Sequence, residues 1–162
     1  MLLRAESLAA THEIAAAVAR SCRPGDVVVL AGEMGAGKTA FAQGFGRALG
    51  ITEPITSPTF TLVHSHPVPG GKLTLHHADL YRLDTIGDVD DLALDELAEF
   101  GGIVLVEWGD VVASAFGDHL FVRLDADDPD AVDARSVEID ASGPMWAARY
   151  ERLSRDLERF RC

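Results

Sequence analysis

Apolar, β-branched runs alternating with helix-spaced segments predict a three-layer α/β fold, and three observations carry that expectation. Val27-Val28-Val29-Leu30 runs into the glycine-rich stretch Gly32-Glu33-Met34-Gly35-Ala36-Gly37-Lys38-Thr39, after which Phe41, Phe45, Ala48 and Leu49 recur at helical spacing. That succession reads as strand, tight loop, helix. Ile103-Val104-Leu105-Val106 is apolar throughout, as a strand covered on both faces requires. Residues Thr59 to His64 and Lys72 to Ala78 read as two strands joined by the turn Pro67-Val68-Pro69-Gly70-Gly71, so the sheet is expected to be mixed, mostly parallel but with antiparallel strands. A chain of 162 residues, 48% of them hydrophobic, suits a single domain over residues 1–162.

The elements follow in order. Leu2 to Glu6 fits a short strand, and Ser7 or Thr11 fits the cap of a helix that carries Ile14, Ala17 and Val18 to about Ser21. Arg23-Pro24-Gly25-Asp26 stops that helix before strand Val27 to Ala31, and the glycine loop then leads into helix Lys38 to Leu49. After the hairpin, Asp88 to Phe100 sets Val89, Leu92, Ala93, Leu97 and Phe100 on one face with acids opposite, a helix capped by Asp88 and ended by Gly101-Gly102. Leu120 to Leu124 and Ser136 to Ile139 alternate and are expected to pair antiparallel across an acidic loop, Asp125 to Asp133. From Pro144 to about residue 161, Trp146, Tyr150, Leu153, Leu157 and Phe160 form an apolar stripe opposed by arginines. This is a docking helix, on its own domain or on another chain.

Composition narrows the function classes. A formal net charge of −12 repels a phosphate backbone, which disfavours direct nucleic-acid binding. No basic-then-apolar leader and no run of membrane-spanning length is present, so a cytoplasmic protein without a membrane partner is expected. Cys22 and Cys162 have no partners at metal-like spacing and read as free thiols.

Chemistry concentrates on the glycine loop. It fits G-x-x-x-x-G-K-[ST] between a strand and a helix, the context in which backbone N–H groups and a helix N-terminus cradle phosphates. The fold is accordingly expected to be P-loop NTPase-like, with Glu33, Met34, Gly35, Ala36, Gly37, Lys38, Thr39 and Ala40 forming the nucleotide cradle. Lys38 is suited to neutralising the outer phosphates and the Thr39 hydroxyl to ligating Mg²⁺. In an open α/β sheet the ligand lies beyond the carboxyl ends of the strands, and two carboxylates, Asp79 and Glu107, each end an apolar strand. Asp79 is the candidate holder of Mg²⁺; Glu107 completes the metal shell or positions the hydrolytic water. Ser57 and Thr59 lie where switch loops approach a γ-phosphate, although a plain Pro-containing turn explains them equally well. Trp108 and Tyr81 follow the carboxylates and either belong to the core or wall the pocket. His76 and His77, adjacent in a strand, face opposite ways and make a poor metal pair.

Three other functions meet the same loop. A small-molecule kinase needs an arginine-bearing lid, and Asp125-Ala126-Asp127-Asp128-Pro129-Asp130 has the wrong charge for it. A GTP switch reading guanine through N-K-x-D is excluded because the chain contains no asparagine. A module that binds nucleotide without hydrolysing it stays open.

Four motifs in order resemble the TsaE (YjeE) family, the ATPases of bacterial tRNA threonylcarbamoyladenosine biosynthesis. The glycine loop resembles that family's G-[DE]-x-G-A-G-K-T; Ser57-Pro58-Thr59-Phe60-Thr61-Leu62-Val63 resembles S-P-T-[FY]-x-[LIV]-V. His77-Ala78-Asp79-Leu80-Tyr81-Arg82-Leu83 is similar to H-x-D-x-Y-R-L, and Val106-Glu107-Trp108 to V-E-W. The resemblance implies a small ATPase working with TsaB-type and TsaD-type subunits, which carry out threonylcarbamoyl transfer and hold the tRNA. It also implies phosphate and Mg²⁺ binding by Lys38 and Thr39, and metal and hydrolytic roles for Asp79 and Glu107. Ala40 stands where the family commonly has a second threonine, which removes a hydroxyl near the α-phosphate. The arginine-rich final helix lies outside the matched motifs.

Overall fold

The chain folds, in a computed structural model that describes residues 1–58, 62–81, 93–108, 113–126 and 130–162, around a seven-stranded sheet. Strand β1 (Leu2–Ala5) leads into helix α1 (Leu8–Ser21). Ser7 is the cap, its Oγ accepting from the Ala10 amide at 3.1 Å, while Thr11 sits inside the first turns. Strand β2 (Val27–Ala31) is buried along its length and passes through the glycine loop into α2 (Lys38–Ala48). The hairpin is β3 (Val63–Pro67) and β4 (Thr74–Asp79). Its first strand therefore starts later than the expected Thr59; residues 59–61 lie outside the described residues. Then come α3 (Leu94–Glu99), β5 (Ile103–Glu107), β6 (His119–Asp125), β7 (Arg135–Ser142) and α4 (Pro144–Asp156).

The strand order is β1-β7-β6-β2-β5-β4-β3. β6, β2, β5 and β4 pair parallel at the centre, while β1–β7, β7–β6 and β4–β3 pair antiparallel toward the edges. The mixed sheet is as expected, with antiparallel pairing more prominent than the sequence suggested.

Alternation divides the core into two layers. Val28, Leu30, Ile103, Leu105 and Leu75 pack with Phe41 and Phe45 of α2, Ile14 and Val18 of α1, and Trp146, Leu153 and Leu157. Val27, Val29, Val104, Val106 and Ala78 face the other way, onto Leu94, Ala98 and Phe116. Successive strand residues point to opposite faces, so each fully buried strand serves both layers. Helices α1 and α2 approach closely because position 44 is glycine; a Cβ there would stand 2.7 Å from the His12 Cα.

Two expectations need correction. Among the described residues the helix expected from Asp88 to Phe100 covers Leu94–Glu99, and the break before it is Ala93, whose φ of 49° and ψ of 41° is a left-handed conformation that a continuous helix cannot contain. Asp88, Val89 and Leu92 lie outside the described residues. Phe100, expected on the buried face, is 89% exposed, since it occupies the C-cap just as the chain leaves the helix.

The final helix docks on its own domain. Trp146, Leu153 and Leu157 are fully buried in the main core. Arg149 grips Asp26 through Nη1–Oδ2 at 2.5 Å and Nη2–Oδ1 at 3.0 Å, donates to the Ser21 carbonyl, and stacks 4.0 Å over the Trp146 ring. Among the described residues no helix is long and apolar enough to cross a membrane.

Candidate functional site

The loop between β2 and α2 is shaped by three glycines with positive φ: Gly32 at 131°, Gly35 at 82° and Gly37 at 103°. Gly37 is the N-cap residue of α2, so the unpaired amides of the first helical turn open at the loop's mouth. Gly32 admits no side chain, because a Cβ would lie 2.2 Å from the Leu124 carbonyl oxygen. Arg135 buttresses the loop from β7; its Nε donates to the Ala36 carbonyl at 2.8 Å and its Nη2 to the Gly35 carbonyl at 3.4 Å.

Lys38 is buried at the start of α2, and its Nζ donates to the Gly32 carbonyl at 2.6 Å and the Glu33 carbonyl at 2.8 Å. The Trp108 ring covers the same ammonium, its centroid 3.8 Å away. Trp108 has φ 61°, a conformation unusual for a bulky residue, immediately after the end of β5. Tyr81 packs against it with ring centroids 4.9 Å apart.

The two strand-end carboxylates are direct neighbours. Parallel pairing of β4 with β5 sets Asp79 opposite Glu107, on the sheet face that carries α1 and α2. Both are buried, at 4% and 2% exposure. Asp79 is held twice: the Ser57 hydroxyl donates to Oδ2, and the Tyr81 amide donates to Oδ1 at 3.0 Å. Glu107 is held by His77, whose Nε2 lies 2.7 Å from Oε1.

These groups meet in a cleft of about 440 Å³ lined by Met34, Gly35, Gly37, Lys38, Thr39, Ser57, Asp79, Tyr81, Glu107 and Trp108. Of the residues singled out in the sequence, Glu33 contributes its carbonyl to Lys38 from an exposed position, and Ala36 is buried beneath the loop. Ala40 faces a small hollow on the far side of the loop, with Leu8, Thr11, Gly37, Asp133 and Arg135. Thr59 lies outside the described residues. A larger hollow, about 540 Å³, lies beside the C-terminal end of α2 around Arg47, Ile51 and Glu53 and is lined by neither Asp79, Glu107 nor the glycine loop. The choice between core and pocket wall for Trp108 and Tyr81 falls on the wall.

Sequence reasoning missed two residues. Arg135 gave no signal, because its reach to the loop spans about a hundred positions of sequence. His77 enters the sequence reading as half of a poor metal pair with His76 and as the first residue of the H-x-D-x-Y-R-L resemblance, without a contact to Glu107. The two do face opposite ways: His76 bonds the Ser65 hydroxyl at 2.8 Å, and burial pushes its imidazole below the usual range. The usable signal was its position two residues before Asp79, which puts both side chains on one face.

The model of the family described as "Threonylcarbamoyl adenosine biosynthesis protein TsaE" matches residues 5–137. A Bacillus subtilis protein named tRNA threonylcarbamoyladenosine biosynthesis protein TsaE is 36% identical over 148 residues, covering 90% of this chain and 88% of that protein. A Streptomyces coelicolor protein of the same name is 38% identical over 139 residues, covering 84% and 93%. The crystal structure of Bacillus subtilis YdiB superposes with a TM-score of 0.78 at 31% identity, covering 96% of this chain and 94% of that one. Motif order, sheet architecture and these likenesses agree, and the chain belongs to the TsaE family.

Proposed function

We propose that this protein is a Mg²⁺-dependent ATPase of tRNA threonylcarbamoyladenosine biosynthesis, hydrolysing ATP to drive or reset a partner complex that modifies the adenosine beside the anticodon. One observation carries the reading: the glycine loop with its lysine shares a single cleft with two buried carboxylates that stand opposite each other in the sheet. A phosphate chain needs amide donors, a cation and an oriented attacking oxygen, and that cleft offers a source of each.

In this reading the backbone of Glu33 to Ala40 and the first turn of α2 receive the phosphates. Lys38 Nζ exchanges the Gly32 and Glu33 carbonyls for outer phosphate oxygens. The donor set suits Mg²⁺, which takes one or two carboxylates and completes its shell with phosphates and water. Thr39 and Asp79, with Glu107 nearby, would hold the ion, whose contribution is to offset charge on the outer phosphates. Glu107 orients the attacking water. Ser57, through its bond to Asp79, and Thr59 respond to the γ-phosphate; Trp108 and Tyr81 wall the site.

The acidic surface, net −12, fits a protein that leaves tRNA to TsaB-type and TsaD-type partners in the cytoplasm. The test is phosphate release from Mg·ATP by the purified chain, alone and with those partners. Turnover is expected to be slow alone and faster in the complex, and to fall about 100-fold or more in Lys38→Ala, Asp79→Asn and Glu107→Gln. Binding without phosphate release in the complex, or label from γ-phosphate appearing on a metabolite, would reject the reading.

A further inference from the structure

We infer that His77 is a positioning residue for Glu107, fixing this carboxylate for the hydrolytic step; the inference rests on the ATPase reading above. His77 sits on β4 two residues before Asp79, and the register pairs it with Leu105, two residues before Glu107. The imidazole therefore lies on the same sheet face as both carboxylates, one step further from the cleft. Its side chain is fully buried and that of Glu107 is 3% exposed, with Nε2 and Oε1 2.7 Å apart.

The hydrogen-bond pattern shows what the ring is for. An ionised carboxylate only accepts, so Nε2 carries the hydrogen. Nδ1 is buried and has no hydrogen-bond partner among the described residues. An orphaned lone pair is better tolerated in an interior than an orphaned N–H, which favours the same assignment. The ring thus meets Glu107 through Nε2, while Nδ1 has no partner among the described residues.

A residue needed only for packing would not be polar here. Its neighbours on this face, Leu75 and Leu105, are apolar and fully buried, and a leucine would fill the site without an orphaned nitrogen. A local rule broken beside a reactive group indicates a functional constraint. By occupying Oε1, His77 fixes the orientation of the Glu107 side chain and leaves the second oxygen for the contents of the cleft that Glu107 lines. Asp79 has its own holders, Ser57 and the Tyr81 amide, so the two carboxylates are oriented independently.

The test uses the full chain with its partner complex and three substitutions. His77→Leu keeps the volume and removes the donor. His77→Gln carries an amide to the place of Nε2, whereas His77→Asn carries one only as far as Nδ1. Expected for His77→Leu and His77→Asn is a 10- to 100-fold drop in kcat, the usual effect of losing a partner of a functional ligand, with KM and the calorimetric ATP affinity within about twofold of the parent. His77→Gln is expected to recover most of the loss. Should His77→Leu fail to fold, the Asn and Gln pair decides alone. Equal kcat in Asn and Gln variants, or a kcat within twofold of the parent in Leu or Asn, would overturn the inference. Glu107→Gln run alongside separates the two failures: if it keeps full turnover the ATPase reading of Glu107 falls, and if it is dead while His77→Leu is unimpaired only the His77 role falls.

Discussion

Gly32 occupies a place where a Cβ would meet the Leu124 carbonyl oxygen at 2.2 Å, at a φ of 131° that side chains avoid. The obstacle is backbone of the neighbouring strand, which cannot swing aside as a side chain would. Gly32→Ala is therefore expected to cost on the order of 3 kcal/mol, read as a lowered urea midpoint. Arg135 acts on the same loop from outside, through the Ala36 and Gly35 carbonyls. Arg135→Met keeps much of the apolar stem and removes those donors. It is expected to weaken ATP binding about tenfold by calorimetry, the equivalent of one charge-assisted hydrogen bond. The glycines and Lys38 were legible because a phosphate loop is a contiguous pattern. The contacts of Arg135 and His77 were not, because the glycine-loop carbonyls and Glu107 lie far from them in sequence and are brought near only by the folded sheet.

At the scale of elements, α4 is tied to the α1–β2 connection by the Arg149–Asp26 pair, with side chains 11% and 4% exposed. Asp26→Ala would leave the guanidinium facing a shielded site without its anion, and a loss of about 3–5 kcal/mol is expected in denaturant unfolding. Burial pushes the neighbouring Cys22 thiol well above the usual range, helped by Asp26 and opposed by Arg149. Burial, then Asp140, also raises the Tyr150 hydroxyl, which donates to the Ile139 carbonyl. Both groups keep their protons more tightly folded than unfolded, so their contribution is complete below the ordinary thiol value and is lost as pH rises beyond it. Urea midpoints are expected to hold up to about pH 8.5 and to decline above it, with Cys22→Ala removing the first part of the decline. Periodicity identified α1, α2, β2, β5 and the final helix well, since each has a sustained apolar pattern. It missed the break at Ala93, because the acids and apolar residues on both sides keep helical spacing in the sequence while Ala93 turns left-handed. The arginines opposite the α4 stripe carried no docking signal in the sequence, yet Arg149 clasps Asp26 and ties this helix to its own domain.

For the whole molecule, the sheet brings together groups from β4, β5 and the β2–α2 loop, so ligand binding and global stability are linked. ATP with Mg²⁺ at a hundred times its dissociation constant is expected to add about 2.7 kcal/mol of stability. That corresponds to a rise of about 5–10 °C in melting temperature for a chain of this size. Lys38→Ala should abolish the shift while leaving the unliganded melting point within a few degrees. The indole of Trp108 rests on the ammonium that the proposed function assigns to phosphate, while the other tryptophan, Trp146, is sealed in the core. The protein thus carries its own optical gauge: arrival of nucleotide should change the ultraviolet emission of one indole against a constant background from the other. Trp108→Phe should silence that signal, giving stopped-flow access to loading and release without any attached dye.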